Sequence, residues 1–159
     1  NGAGSVMATL DLVINNGGKP GICLNLRHAF LTDTIPTNFY TRLERALQIL
    51  TADKSIQVIL INFLGSIPQA AKVAEVIQNF LQEQPSNSST GFTSNGNRNG
   101  HRSYSIPKLV IRLAGSDLDI AKKYLSDLEN FGDSSILLLE SLDDAVKQAV
   151  KLTKTKAKR

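Results

Sequence analysis

The chain has 159 residues, 42% of them hydrophobic and 20% charged, with one cysteine and no tryptophan. That is enough for one domain with its own core, and it excludes both an internal disulfide framework and a membrane span of about 20 apolar residues. The net charge is +4, but Lys151, Lys154, Lys156, Lys158 and Arg159 carry five positive charges at the C-terminus, which leaves the first 150 residues at −1. Residues 153–159 therefore read as a basic tail. With no basic groove or aromatic platform elsewhere, nucleic acid is excluded as a partner. No signal peptide is read at the start, and a cytoplasmic location is expected.

Asn1-Gly2-Ala3-Gly4 is a run of turn residues. A helix is predicted from about Ser5 to Asn15, with Met7, Leu10, Val13 and Ile14 as its apolar set. Gly17-Gly18 ends it in C-cap fashion and Pro20 prevents continuation. Residues 22–26 form a short strand candidate, which makes Cys23 a small buried hydrophobe. The next loop holds Arg27 and His28. A lone histidine with no positioned partner is read as structural or solvated, so no catalytic residue is assigned.

Pro36 opens a helix to about Thr51, with Phe39, Leu43, Ala46, Leu47 and Leu50 at 3–4 spacing. Arg42, Glu44 and Arg45 lie off that stripe and read as solvated surface. Val58-Ile59-Leu60-Ile61 is a strand buried on both faces. A turn at Gly65-Ser66 leads into a helix carrying Val73, Ile77, Phe80 and Leu81. Ser66 and Gln69 have capping-box spacing, with Pro68 in the first turn. A buried strand feeding a helix aims backbone N–H groups at the strand's carboxyl edge, where open α/β sheets bind anions.

Residues 84–103 hold five Ser, four Asn, three Gly and two Thr among twenty. Such a run buries too little apolar surface to offset its ordering entropy, and it is expected to be a disordered low-complexity insertion. Structure resumes with a strand at 108–113. Ser116 and Asp119 are read as capping a helix to about Phe131, and 136–139 is the last strand. Ser141 and Asp144 cap the final helix, which carries Ala145, Val146, Ala149, Val150 and Leu152. Strands alternating with amphipathic helices imply an α/β class with a doubly wound, mainly parallel sheet in one domain, residues 1–159. The first strand of such a sheet is usually central, yet this chain starts on a helix. No metal-ligand cluster is read.

The block NGAGSVMATLDLVINNGGKP resembles the opening of the C-terminal CoA-ligase domain in the beta subunit of succinate–CoA ligase (succinyl-CoA synthetase). Asn1, Gly2, Ala3, Gly4, Met7, Thr9, Asp11, Gly17, Gly18 and Pro20 match its pattern. Residues 61–67, INFLGSI, resemble that family's N-I-F-G-G-I turn, and residues 110–116, VIRLAGS, its V-V-R-L-E-G-[TN] strand end. The likeness covers nearly all of the chain outside 84–103.

The resemblance implies a flavodoxin-like domain whose first strand lies ahead of Asn1, after an ATP-grasp domain that binds nucleotide and magnesium. It implies an enzyme of the tricarboxylic acid cycle that ligates succinate to CoA with cleavage of ATP or GTP, through an acyl phosphate and a phosphohistidine. In the family, that histidine and the CoA pocket belong to the alpha subunit. The beta domain contributes a carboxylic-acid site, a helix N-terminus facing the phosphohistidine and the alpha-subunit interface. Carried over by position, the substrate-binding residues are Asn1, Gly65, Ser66, Ile67 and Pro68. No cofactor is expected on this fragment alone, nor turnover by it. Open sheet edges would favour a homodimer of the fragment.

Two stretches depart from the family pattern. D-V-G-G-G-A becomes Asn25-Leu26-Arg27-His28-Ala29, without its glycines. Arg27 is then either an anion contact in place of backbone amides or a block to the ligand. Ser66 replaces the second glycine of the other turn, and Pro68 removes a donor. A degenerate, non-catalytic paralogue serving assembly or regulation, and a flavodoxin-like binding module, stand as the alternatives.

Overall fold

The structure is a computed structural model and describes residues 2–26, 36–65, 69–83, 106–129 and 136–155. Helix α1 spans Ala3–Asn15 and α2 Pro36–Ala52; β1 spans Val58–Leu64, α3 Ala70–Gln82 and β2 Lys108–Ala114. Helix α4 is Leu118–Glu129, β3 Ile136–Leu139 and α5 Leu142–Thr155. The strands form one parallel sheet in the order β1-β2-β3, with Ile59 opposite Leu109 and Leu109 opposite Ile136.

Helices cover both faces, as parallel pairing requires: each strand needs a crossover, and both of its faces are apolar. On one side α2, α3 and α4 bury Leu47, Val73, Ile77 and Leu125 against Ile59, Phe63, Leu109, Ile111 and Leu113. On the other, Ala145 and Ala149 of α5 pack on Val110 and on the half-buried Val58, Leu60 and Leu137. This is the doubly wound, flavodoxin-like α/β architecture expected from the alternation of elements.

Two local signals act as read. Helix α1 ends in a Schellman arrangement in which Gly17 adopts φ 76° and the Gly17 and Gly18 N–H groups donate to the carbonyls of Ile14 and Val13 at 2.8 and 2.9 Å. The Ser141 hydroxyl accepts from the Asp144 N–H at 3.4 Å, at the start of α5.

The first third of the chain departs from expectation. Residues 22–26 form no strand. Ile22 and Leu24 are 49% and 44% exposed, and Cys23 is exposed instead of buried. A strand exists only where a neighbour accepts its hydrogen bonds, and this segment is separated from β1 by a groove of about 760 Å³. Helix α1 forms the third wall of that groove and buries none of its residues completely, with Met7 65% and Ile14 53% exposed. The sheet therefore has three strands among the described residues, and β1 is an edge strand.

Arg42 is also not the solvated residue its off-stripe position suggests. Its Nε donates to the Leu26 carbonyl at 3.0 Å and ties the end of residues 22–26 to α2. Two helix starts move as well. Helix α3 begins at Ala70, with extended Gln69 as its N-cap and no side-chain cap; the expected cap at Ser66 and Pro68 lies outside the described residues. Helix α4 begins at Leu118, after Asp117 at φ 61°, so Ser116 lies one residue before the N-cap position. The 84–103 run lies outside the described residues.

Candidate functional site

Two glycine turns stand side by side at the carboxyl edge of the sheet. Gly65 follows β1 at φ 133° and Gly115 follows β2 at φ 152°. The Gly65 N–H donates to the Ala114 carbonyl at 2.9 Å, which extends the β1–β2 pairing by one residue. A Cβ placed on Gly115 would run into the Gly65 carbonyl. Side chains are excluded here by backbone packing, and the strand ends present main chain to whatever lies above them.

The start of α1 reaches the same edge. Gly2, at φ 106°, is its N-cap, and its N–H donates to Asn25 Oδ1 at 2.9 Å. From the second turn of α1, Thr9 accepts a hydrogen bond from Asn62 Nδ2 at 2.8 Å, and Ser5 accepts one from the same nitrogen at 3.3 Å. Arg112, the register partner of Asn62, donates from Nη1 to Asn62 Oδ1 at 3.3 Å and from Nε to the Glu140 carbonyl at 3.1 Å. The Glu140 carboxylate, just past β3, pairs with Lys122 of α4 at 2.6 Å. That hydrogen bond and the ammonium charge hold Glu140 below the usual carboxylate range, and they raise Lys122 in turn.

Of the site residues read from the sequence, Gly65 lies among the described residues, at the end of β1. Asn1, Arg27, Ser66, Ile67 and Pro68 lie outside them. Asn25, Ser5, Thr9, Asn62 and Arg112 carry no site role in the sequence reading, although Thr9, Asn62 and Arg112 lie in the blocks that carry the resemblance. A polar Asn and Arg inside otherwise apolar strands was the signal that could have found the last two. Among the described residues no group of three or more His, Cys, Asp or Glu could hold a metal ion, and no helix is long and apolar enough to cross a membrane.

These features define a parallel α/β domain whose candidate site is a main-chain-lined edge beside a helix start. No protein-family model matches the chain. Curated proteins do, and those compared are beta subunits of succinate–CoA ligase. The chain is 30% identical to the ADP-forming beta subunit of Ignicoccus hospitalis over 155 residues, 97% of this chain and 32% of that protein. It is 30% identical to the ADP-forming subunit of Methylobacillus flagellatus over 154 residues. It is also 30% identical to the GDP-forming, mitochondrial beta subunit of Caenorhabditis elegans over 150 residues, 94% of this chain and 29% of that protein. The resemblance carried by the NGAG block thus extends along almost the whole chain, which spans about a third of the length of the relatives it matches.

Proposed function

We propose that this chain is the C-terminal domain of the beta subunit of an ADP- or GDP-forming acid–CoA ligase of the succinate type. In this reading Asn1 and the Gly65–Pro68 turn bind the carboxylic acid. The N-terminus of α3 faces the phosphohistidine of an alpha subunit, and that subunit closes the site. The observation that carries it is the extent of the likeness, 97% of the chain to one such beta subunit. The chemistry is compatible, because backbone N–H groups and an amide hydrogen-bond a carboxylate or phosphate without introducing a proton-transfer group. ATP or GTP, magnesium and CoA belong to other parts of the enzyme. Arg27 contributes an anion contact in place of the family's glycine amides. The groove beside β1 takes a strand that precedes Asn1; without it, the open edge of the isolated fragment pairs with a second copy. The location is cytoplasmic.

A second reading is favoured by Ser66, Pro68 and the Arg27-His28 pair, which stand where the family pattern has glycines or a free donor. In it the domain is a non-catalytic paralogue kept for assembly or regulation. Co-expression of the intact protein with its alpha subunit separates the two. The ligase reading expects phosphate release that requires CoA, nucleotide and a small dicarboxylate such as succinate together. A folded complex with no turnover on any such acid would overturn it and leave the paralogue. Arg27→Gly with Ser66→Gly would then restore activity if those departures are the cause.

A further inference from the structure

The sheet face beneath α1 and α5 is apolar except near its carboxyl end. There β1 presents Val58, Leu60 and then Asn62, while β2 presents Val110 and then Arg112. Both polar residues are half-buried. A polar pair on such a face is favourable only when its donors and acceptors are matched. Here the matching has a direction. Arg112 has donors only, so it turns the Asn62 amide oxygen toward β2 and the amide nitrogen toward α1. The Thr9 hydroxyl donates to the Ser5 carbonyl at 2.7 Å, so toward Asn62 its oxygen accepts. The bonds run Arg112 to Asn62 to Thr9 to Ser5. Each orients the next, and the Glu140 carbonyl anchors the first at β3.

We propose that Arg112 is a positioning residue for the acid site: through Asn62 it fixes the first two turns of α1, and with them the Gly2 N-cap, relative to the Gly65 turn. The proposal rests on the reading of the site given above. It assigns Arg112 no contact with substrate. Arg112 sets how the start of α1 stands against the carboxyl end of β1, so its loss weakens acid binding and leaves nucleotide and CoA binding alone.

The test uses the intact protein in complex with its alpha subunit. Arg112→Met cuts the relay at one end, and the near-isosteric Thr9→Val cuts it at the other with little risk to folding. Each is expected to raise KM for the acid about tenfold, the value of one hydrogen bond to a charged or well-oriented group. The KM values for nucleotide and CoA stay unchanged, as does kcat at saturating acid. The double variant is expected to be no worse than either single one, because both break the same chain of bonds. An unchanged acid KM in Thr9→Val, or multiplied effects in the double variant, overturns the proposal. A fall in kcat with acid KM unmoved marks a merely structural role and overturns it too. If the wild-type complex does not turn over, the ligase reading has failed, and amide hydrogen exchange decides the relay separately. Amides of residues 6–10 then exchange about tenfold faster in both variants, and unaltered exchange overturns the proposal.

Discussion

Gly115 packs its Cα against the carbonyl of Gly65, with both residues at positive φ where the first two strands end. Gly115 accepts no side chain without moving main chain, and Gly65 holds a φ that side-chain-bearing residues rarely adopt. Gly115→Ala adds backbone strain to a clash with a carbonyl that cannot swing away. It is expected to cost about 2–4 kcal/mol, seen as a lower midpoint in urea unfolding with an unchanged slope. The near-UV circular dichroism of the surviving native fraction should match the parent's, because the change lies at the sheet edge.

Neighbouring positions on α2 should respond very differently. Leu47 is 1% exposed beneath the sheet, while Ile49, two residues along, is 57% exposed. Leu47→Ala removes packing from a filled core and is expected to cost about 2–5 kcal/mol. Ile49→Ala should stay within about 0.5 kcal/mol of the parent. Equal losses at the two positions, measured by chemical denaturation, would contradict this orientation of the helix.

The Glu140–Lys122 pair predicts a pH dependence with a defined sign. Glu140 titrates lower in the folded chain than in the unfolded one, so its contribution is complete above the ordinary carboxylate range and fades as pH falls through the folded value. Lys122 is raised, so its contribution is complete below the ordinary lysine value and fades as pH climbs through the folded one. Both are present between about pH 5 and pH 10. The pair is exposed and screened, so the readout is the Glu140 carboxyl resonance in an NMR titration. Lys122→Met should return its midpoint upward to the ordinary range.

Cys23 should react as a surface thiol. In the 159-residue chain its exposure predicts stoichiometric labelling by an aromatic disulfide reagent under native conditions, at a rate insensitive to added stabilisers. A rate that tracks global unfolding would instead place the thiol in the core, as the apolar pattern of residues 22–26 first suggested. Cys23→Ser is expected to change stability by less than about 0.5 kcal/mol.

Much of this architecture is written in local pattern. The alternation of apolar runs with 3–4-spaced helices, the Gly17-Gly18 stop after α1 and the Ser141 cap of α5 depend on residues a few positions apart. Local chemistry determines such features before any tertiary contact forms. The NGAG block likewise carried the likeness to succinate–CoA ligase beta subunits. Residues 22–26 were misread because a strand is a relation between two backbones. Their apolar side chains satisfy the sequence pattern, but β1 lies across a groove and offers no hydrogen bonds. The same cause placed Cys23 at the surface and made Arg42 a tether. The link from Arg112 through Asn62 to Thr9 joins residues up to about a hundred positions apart, and only the parallel register that sets Asn62 beside Arg112 brings it into being. Sequence determined the order of the helices and of the three strands that pair, and where one turn needs glycine. Tertiary structure decided which strand found a neighbour and which polar side chains met, because those energies exist only between elements already packed together.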